Sequence, residues 1–268
     1  MEPSNRLPTL FIPHGGGPCF FMDPPPAAPH LWDRMAAYLR GLLETLPQKP
    51  KAILMISGHW ETKRPTLNVG ARPDLLFDYY GFPEHTYQLT YKAPGAPELA
   101  SRVASLLEGA GLPVDTDATR GWDHGVFIPM LLIRPQADIP ILQLSLQEKL
   151  DPAEHLAIGR ALSPLRDEGV LIIGSGMSYH NLRAFFGPAG SVESAAFDSW
   201  LTTAATDADQ RDARLTGWSQ APGARFCHPQ EEHLLPMMVA AGAAEGEPGL
   251  RTYSDQIFNK AISGFQFG

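Results

Sequence analysis

Short apolar runs of strand length alternate along this chain with stretches in which apolar residues recur at helical spacing. Residues 7–13, 52–57 (AILMIS), 140–146 and 170–174 (VLIIG) read as buried strands. Residues 31–46 place Leu31, Met35, Leu39, Leu42 and Leu46 near one helical face. Residues 97–109 do the same with Leu99, Val103, Leu106 and Leu107. Residues 151–168 open with an explicit start signal: Asp151 as N-cap, Pro152 at the first helical position and Glu154 three residues after the cap. Gly169 ends that helix. Residues 191–206 and 229–243 also read as helices, with Pro236 expected to kink the second.

Continuously apolar strands alternating with helices predict an α/β fold with a mostly parallel central sheet flanked by helices. In such sheets ligands bind outside the carboxyl ends of the strands. The chain has 268 residues, no internal repeat and no linker-like stretch, so one domain over residues 1–268 is expected. Net charge is −8 with no basic block, which argues against nucleic acid as a partner. No apolar run is long enough to span a bilayer, and the N-terminus MEPSNRLPTLF lacks the regions of a signal peptide. A cytoplasmic protein without a membrane partner is expected, as a monomer. Cys19 and Cys227 form no CxxC pair and read as spectator thiols.

Histidines stand at the points where a ligand would bind. The first strand runs into Pro13-His14-Gly15-Gly16-Gly17-Pro18, the second into Ser57-Gly58-His59-Trp60, and the strand at Val170 into GSGMSYHNL, which delivers His180. His124 in WDHGVF and His233 in HPQEEHLLP sit at expected loop-to-helix junctions. One cleft can collect all of them, and neutral imidazole is the commonest biological metal ligand. Three protein ligands with open positions suit a catalytic metal rather than a structural one.

Each neighbouring residue has a plainer reading too. Asp123 either orients an imidazole or caps the following helix. Trp60 packs in the core or lines the pocket, and Tyr179 is pocket wall or core. Asn181 fixes the loop carrying His180. Phe82 and Tyr87 lie in a Gly/Pro-marked loop that covers the cleft. Glu231 and Glu232 favour a helix N-terminus through its dipole, or replace His233 as ligand; Glu232 and His233, adjacent on a helix, should diverge. His228 reads as a junction or rim residue, and His30, His85 and His155 as surface or packing residues, with His155 solvated. The run His14-Gly15-Gly16-Gly17 looks like an esterase oxyanion motif, but no GxSxG accompanies it. A zinc hydrolase, or a non-catalytic metal-binding protein of the same fold, would also accommodate these histidines.

The ordered set LFIPHGGGP, ISGHW, YKAPGAPELA, GWDHGVFIPM, IPILQLSL, GSGMSYHNLR and HPQEEHLLP, covering nearly the whole chain, resembles the LigB-like class III extradiol ring-cleavage dioxygenases, especially their DOPA dioxygenase branch. The resemblance implies insertion of O2 into a catechol-type ring at a non-haem metal. It implies His14, His59 and His233 as metal ligands, His180 as catalytic base and, in zinc-loaded forms, a further ligand, and His124 beside the oxygen and substrate position. It also implies Fe(II) for activity, while Zn(II), higher in the Irving–Williams order, is expected in purified protein. The chain departs from the family in HGGGP, where HGSP is usual, and in GSGMSYHNL, where an aliphatic pair more often precedes the histidine. Both departures bear on the substrate more than on the chemistry.

Overall fold

The computed structural model describes residues 6–268; the first five residues of the segment read for targeting signals lie outside the described residues. In chain order the regular elements are β1 (Thr9–Pro13), α1 (Asp33–Gly41), β2 (Ala52–Thr62), β3 (Thr66–Asn68), α2 (Pro97–Gly109), β4 (Asp115–Asp117), α3 (His124–Ile133), β5 (Ile141–Gln147), α4 (Pro152–Leu162), β6 (Val170–Gly176), α5 (Ser191–Thr206), α6 (Arg211–Thr216), α7 (Ala224–Cys227), α8 (Leu235–Ala244), β7 (Gly249–Ile257) and β8 (Lys260–Phe267). One eight-stranded sheet runs in the order β4-β3-β5-β2-β6-β1-β8-β7. Its centre, β5-β2-β6-β1, is parallel. Antiparallel pairings join β3 to β5 and β8 to β1, and β7–β8 form a C-terminal hairpin.

The central strands are mostly apolar because both their faces are covered; β1 and β6 are buried at every position. Helix α8, buried along its whole length, packs on β1 and β6, and α4 packs across α8. Asp151 caps α4 as expected, accepting from the backbone N–H of Ala153 at 2.7 Å and of Glu154 at 3.3 Å. Among the described residues no helix is long and apolar enough to cross a membrane.

Four expectations need correction. His59 lies inside a strand, not beyond one, since β2 continues to Thr62. Helix α8 begins at Leu235, so Pro236 occupies its first turn, where a missing N–H costs nothing, and no kink is needed. His155 is fully buried: its Nδ1 reaches the Asp151 carbonyl at 2.6 Å and its Nε2 accepts from Gln147 N–H at 3.1 Å. His228 is also fully buried, between Phe197 and Trp218, and is not a rim residue.

The topology explains the convergence of the histidines. β2, β6 and β1 are adjacent and parallel, so their carboxyl ends open on one edge of the sheet. His14 follows β1 directly. In β2, Ile56 pairs with Leu144 and Glu61 with Leu146, five steps against two, so the strand bulges out of register with β5; pairing with β6 ends at Ser57, and Gly58–Trp60, with His59, lie beyond it.

Candidate metal centre

Three imidazole nitrogens meet above those strand ends. His59 Nε2 lies 3.2 Å from His14 Nε2 and 3.1 Å from His233 Nε2. The 232–233 segment reaches them because Gly176 lets it close on β6; a Cβ there would lie 2.1 Å from the His233 carbonyl oxygen. That carbonyl accepts from Met177 N–H at 3.0 Å. The chain turns away from His14 through Gly15, whose φ of +82° is accessible to glycine at little cost.

The outer nitrogens decide the tautomers. The Ser175 hydroxyl donates to the Gly125 carbonyl, so its lone pair is left to accept from His14 Nδ1–H at 3.2 Å. Glu232 Oε1, which as a carboxylate can only accept, takes His233 Nδ1–H at 3.0 Å. His59 Nδ1 faces Asp78 Oδ2 at 3.6 Å, too long for a hydrogen bond. With Nδ1 of His14 and His233 protonated, their Nε2 lone pairs face the centre on either side of His59 Nε2. A cation there would take both lone pairs and, with the His59 proton on Nδ1, the third. Metal–nitrogen bonds of ~2.1 Å would subtend roughly 95–100° at such spacings, between octahedral and tetrahedral values. The donor set therefore fits a metal ion, and these three residues form one group able to hold one.

Burial acts in the same direction. It is the largest cause holding His14 and His233 far below the ordinary imidazole range, with the neighbouring imidazoles adding to it. His59 is lowered to about 4, by burial first and then by His124. All three are thus neutral, as ligation requires, at neutral pH. Both thiols are pushed by burial up to about 12, consistent with spectators rather than ligands.

Two more histidines flank the cluster, and each belongs to a neighbouring group rather than to the three-nitrogen set. His124 Nδ1–H donates to Asp78 Oδ1 at 2.7 Å, and its ring lies 3.9 Å from that of His59. His180 Nδ1–H donates to Glu232 Oε1 at 2.8 Å, and its ring stacks on His233 at 3.4 Å and 17°. Burial alone would raise Asp78 and Glu232, but the hydrogen bonds and charges of the histidines outweigh it, and both lie below the usual carboxylate range.

The sequence pattern marks all five histidines and misses Asp78. Glu232 and His233, expected to diverge, meet at Oε1 because they precede α8 instead of lying on it. Asp123 neither orients an imidazole nor side-chain-caps α3. It is buried and accepts from Ser57 Oγ at 2.7 Å, Gln143 Nε2 at 2.6 Å and Arg120 at 3.1 Å. Arg120 in turn holds the His59 carbonyl at 3.1 Å and lies over the buried Trp60 ring. Asn181 fixes its loop as expected, donating to the Phe226 carbonyl at 2.7 Å. Phe82 and Tyr87 pack on Tyr79, which backs His124.

The sequence profile described as the catalytic LigB subunit of aromatic ring-opening dioxygenase matches residues 8–264. The chain belongs to the LigB family. A 4,5-DOPA dioxygenase extradiol from Beta vulgaris is 44% identical, over 90% of this chain and 88% of the relative. Dioxygenase tasH from Hapsidospora irregularis is 40% identical, over 97% of this chain and 85% of its own length. The crystal structure of an uncharacterized protein from Escherichia coli K12 superimposes with a TM-score of 0.77 at 29% identity, over 98% of this chain and all of that one. This LigB protein sits in the DOPA-dioxygenase-type branch. It is an extradiol ring-opening dioxygenase that uses a non-haem metal, a small aromatic substrate and O2.

Proposed function

We propose that this LigB enzyme is a cytoplasmic, monomeric catechol dioxygenase in which His14, His59 and His233 hold Fe(II), His180 is the base and His124 hydrogen-bonds the reacting oxygen side. The observation that carries this reading is the meeting of three Nε2 atoms at 3.1–3.2 Å, two of them with their Nδ1 protons committed elsewhere. A ferrous ion there would supply adjacent binding points for the diol and O2 and would acidify a bound hydroxyl.

The chain's own residues do the rest. His180 presents its free Nε2 to the diol, since its Nδ1 proton is spent on Glu232. It takes the second phenolic proton and returns one at ring opening, a role typically worth roughly 100- to 10,000-fold. His124, held at the start of α3 by Asp78, presents its own Nε2 on the opposite flank. Beside His180 a mostly apolar groove of about 550 Å³ is lined by Leu182, Ala184 and Phe226, with Asn181, Arg183 and Gln230 among its polar members, and continues past Glu232. Because it begins at the base, we assign it to the apolar substituent of the catechol ring. DOPA, named for several relatives, is one member of the substrate panel.

Zinc, the stronger binder for such a site, is the metal expected in protein purified in air; iron with no zinc would overturn that expectation. The deciding experiment is oxygen uptake by anaerobically Fe(II)-loaded protein against a panel of catechols, followed by visible absorbance. Uptake with a new absorbing product names the substrate. No uptake with any diol despite bound iron would defeat the reading in favour of hydrolysis or binding alone.

A further inference from the structure

Among the described residues, Glu232 is the one carboxylate hydrogen-bonded to two imidazoles. Its Oε1 accepts from Nδ1–H of His180 at 2.8 Å and of His233 at 3.0 Å, while Oε2 is buried without a hydrogen-bond partner. Both donors crowd onto one oxygen although the other is free. The crowding follows from the stacking: two rings 3.4 Å apart and nearly parallel bring their Nδ1 atoms to the same side, within reach of a single acceptor. Backbone bonds fix both partners: His180 N–H donates to the Cys227 carbonyl at 2.9 Å, and the His233 carbonyl accepts from Met177 at 3.0 Å.

We propose that Glu232 is a positioning residue that couples the base to the metal site. One oxygen holds His180 and His233 as Nδ1–H tautomers in register, so metal retention and aim of the base depend on the same side chain. Carboxylates behind metal-bound imidazoles are a general device for fixing tautomer and ring orientation. Here the same oxygen also serves an imidazole outside the three-nitrogen cluster, which links two functions that separate carboxylates would leave independent. The inference rests on the assignment of His233 as ligand and His180 as base.

The test uses the full-length protein, with zinc affinity read by competition against a chromophoric chelator and the His180 tautomer read by long-range nitrogen–proton NMR before zinc is added, since zinc on His180 Nε2 would itself fix that tautomer. E232L should bind zinc 10- to 100-fold more weakly, and its His180 should lose the fixed Nδ1–H signature. E232Q keeps an oxygen acceptor and should restore most of both. In the iron-loaded enzyme, E232L should lower kcat with little change in KM. Wild-type zinc affinity and an unchanged His180 tautomer in E232L would overturn the coupling. Should E232L fail to fold by circular dichroism, E232D decides, because it keeps the charge and withdraws the oxygen by one methylene. Losses in both readouts would support the coupling, and wild-type values in both would overturn it. The underlying metal-site reading fails separately: unchanged zinc content in His59→Ala would refute that site and, with it, the ligand half of the coupling.

Discussion

On one flank of the three-nitrogen cluster His124 donates to Asp78; on the other His180 donates to Glu232. Each carboxylate also faces a member of the cluster, Asp78 at 3.6 Å from His59 and Glu232 at 3.0 Å from His233. The supports differ. His124 is buried at the start of a helix, with its backbone N–H also on Asp78 at 3.0 Å and Tyr79 packed behind its ring. His180 sits on a loop beyond β6, its side chain 19% exposed against 9% for His124, and it lines the groove. A group that must exchange protons with substrate and solvent needs access; a group that only donates a fixed hydrogen bond needs rigidity. Under the proposed function the two flanks divide those tasks.

The strongest challenge to this division is a pair of variants. His180→Ala should keep its metal and lose roughly 100- to 10,000-fold in kcat, measured by oxygen uptake beside metal analysis. His124→Phe should lose less in kcat. Equal losses from the two would erase the distinction between the flanks, and near-normal turnover of His180→Ala would remove it as the base. Next in size is Asp78→Asn. Its amide oxygen can still accept from His124, but without charge, so metal affinity or kcat/KM should fall about 10- to 100-fold. Wild-type values for both would separate Asp78 from the site.

The two flanks are not equally legible in the sequence. His14 and His180 follow from a rule: buried strands end, and the residues just beyond them meet where adjacent parallel strands share an edge. The same rule finds His59, although it lies within β2, beyond the end of that strand's pairing with β6. Asp78 is invisible because it lies in an irregular segment, 46 residues before His124, with no periodicity to place it. Glu232 is visible, but its direction depends on where α8 begins, and element boundaries are the weakest part of any pattern reading. The hairpin β7–β8 carries no expectation. Its mixed exposure blurs the alternation, and its turn uses Phe258 and Asn259, both at positive φ, where an Asn-Gly pair would have announced it.

A smaller effect tests the open flank from the substrate side. Ala184→Trp fills the groove beside His180, so kcat/KM for a 4-alkylcatechol should fall about tenfold relative to unsubstituted catechol, the scale of a lost methylene-sized fit. Equal changes for both substrates would move the substituent out of the groove.

The smallest effect on turnover concerns a histidine outside the site. His228 donates from Nε2 to the Ser178 carbonyl at 3.0 Å, while its buried Nδ1 has no partner. Protonation would place a second N–H, and a charge, where nothing accepts it. Burial accordingly lowers its pKa to about 4, against ~6.5 in an unfolded chain. The unfolded state therefore binds this proton at a pH where the folded state does not. Stability is fully present above about pH 6.5 and is lost as pH falls toward the folded value, by up to about 3 kcal/mol from this group. His228→Gln keeps an N–H donor and removes the titration. Urea midpoints at pH 7 and pH 5 should draw closer together in this variant than in wild type, while oxygen uptake at pH 7 is unchanged. An identical pH slope in the two proteins would mean that the acid sensitivity resides in the histidines of the metal centre instead.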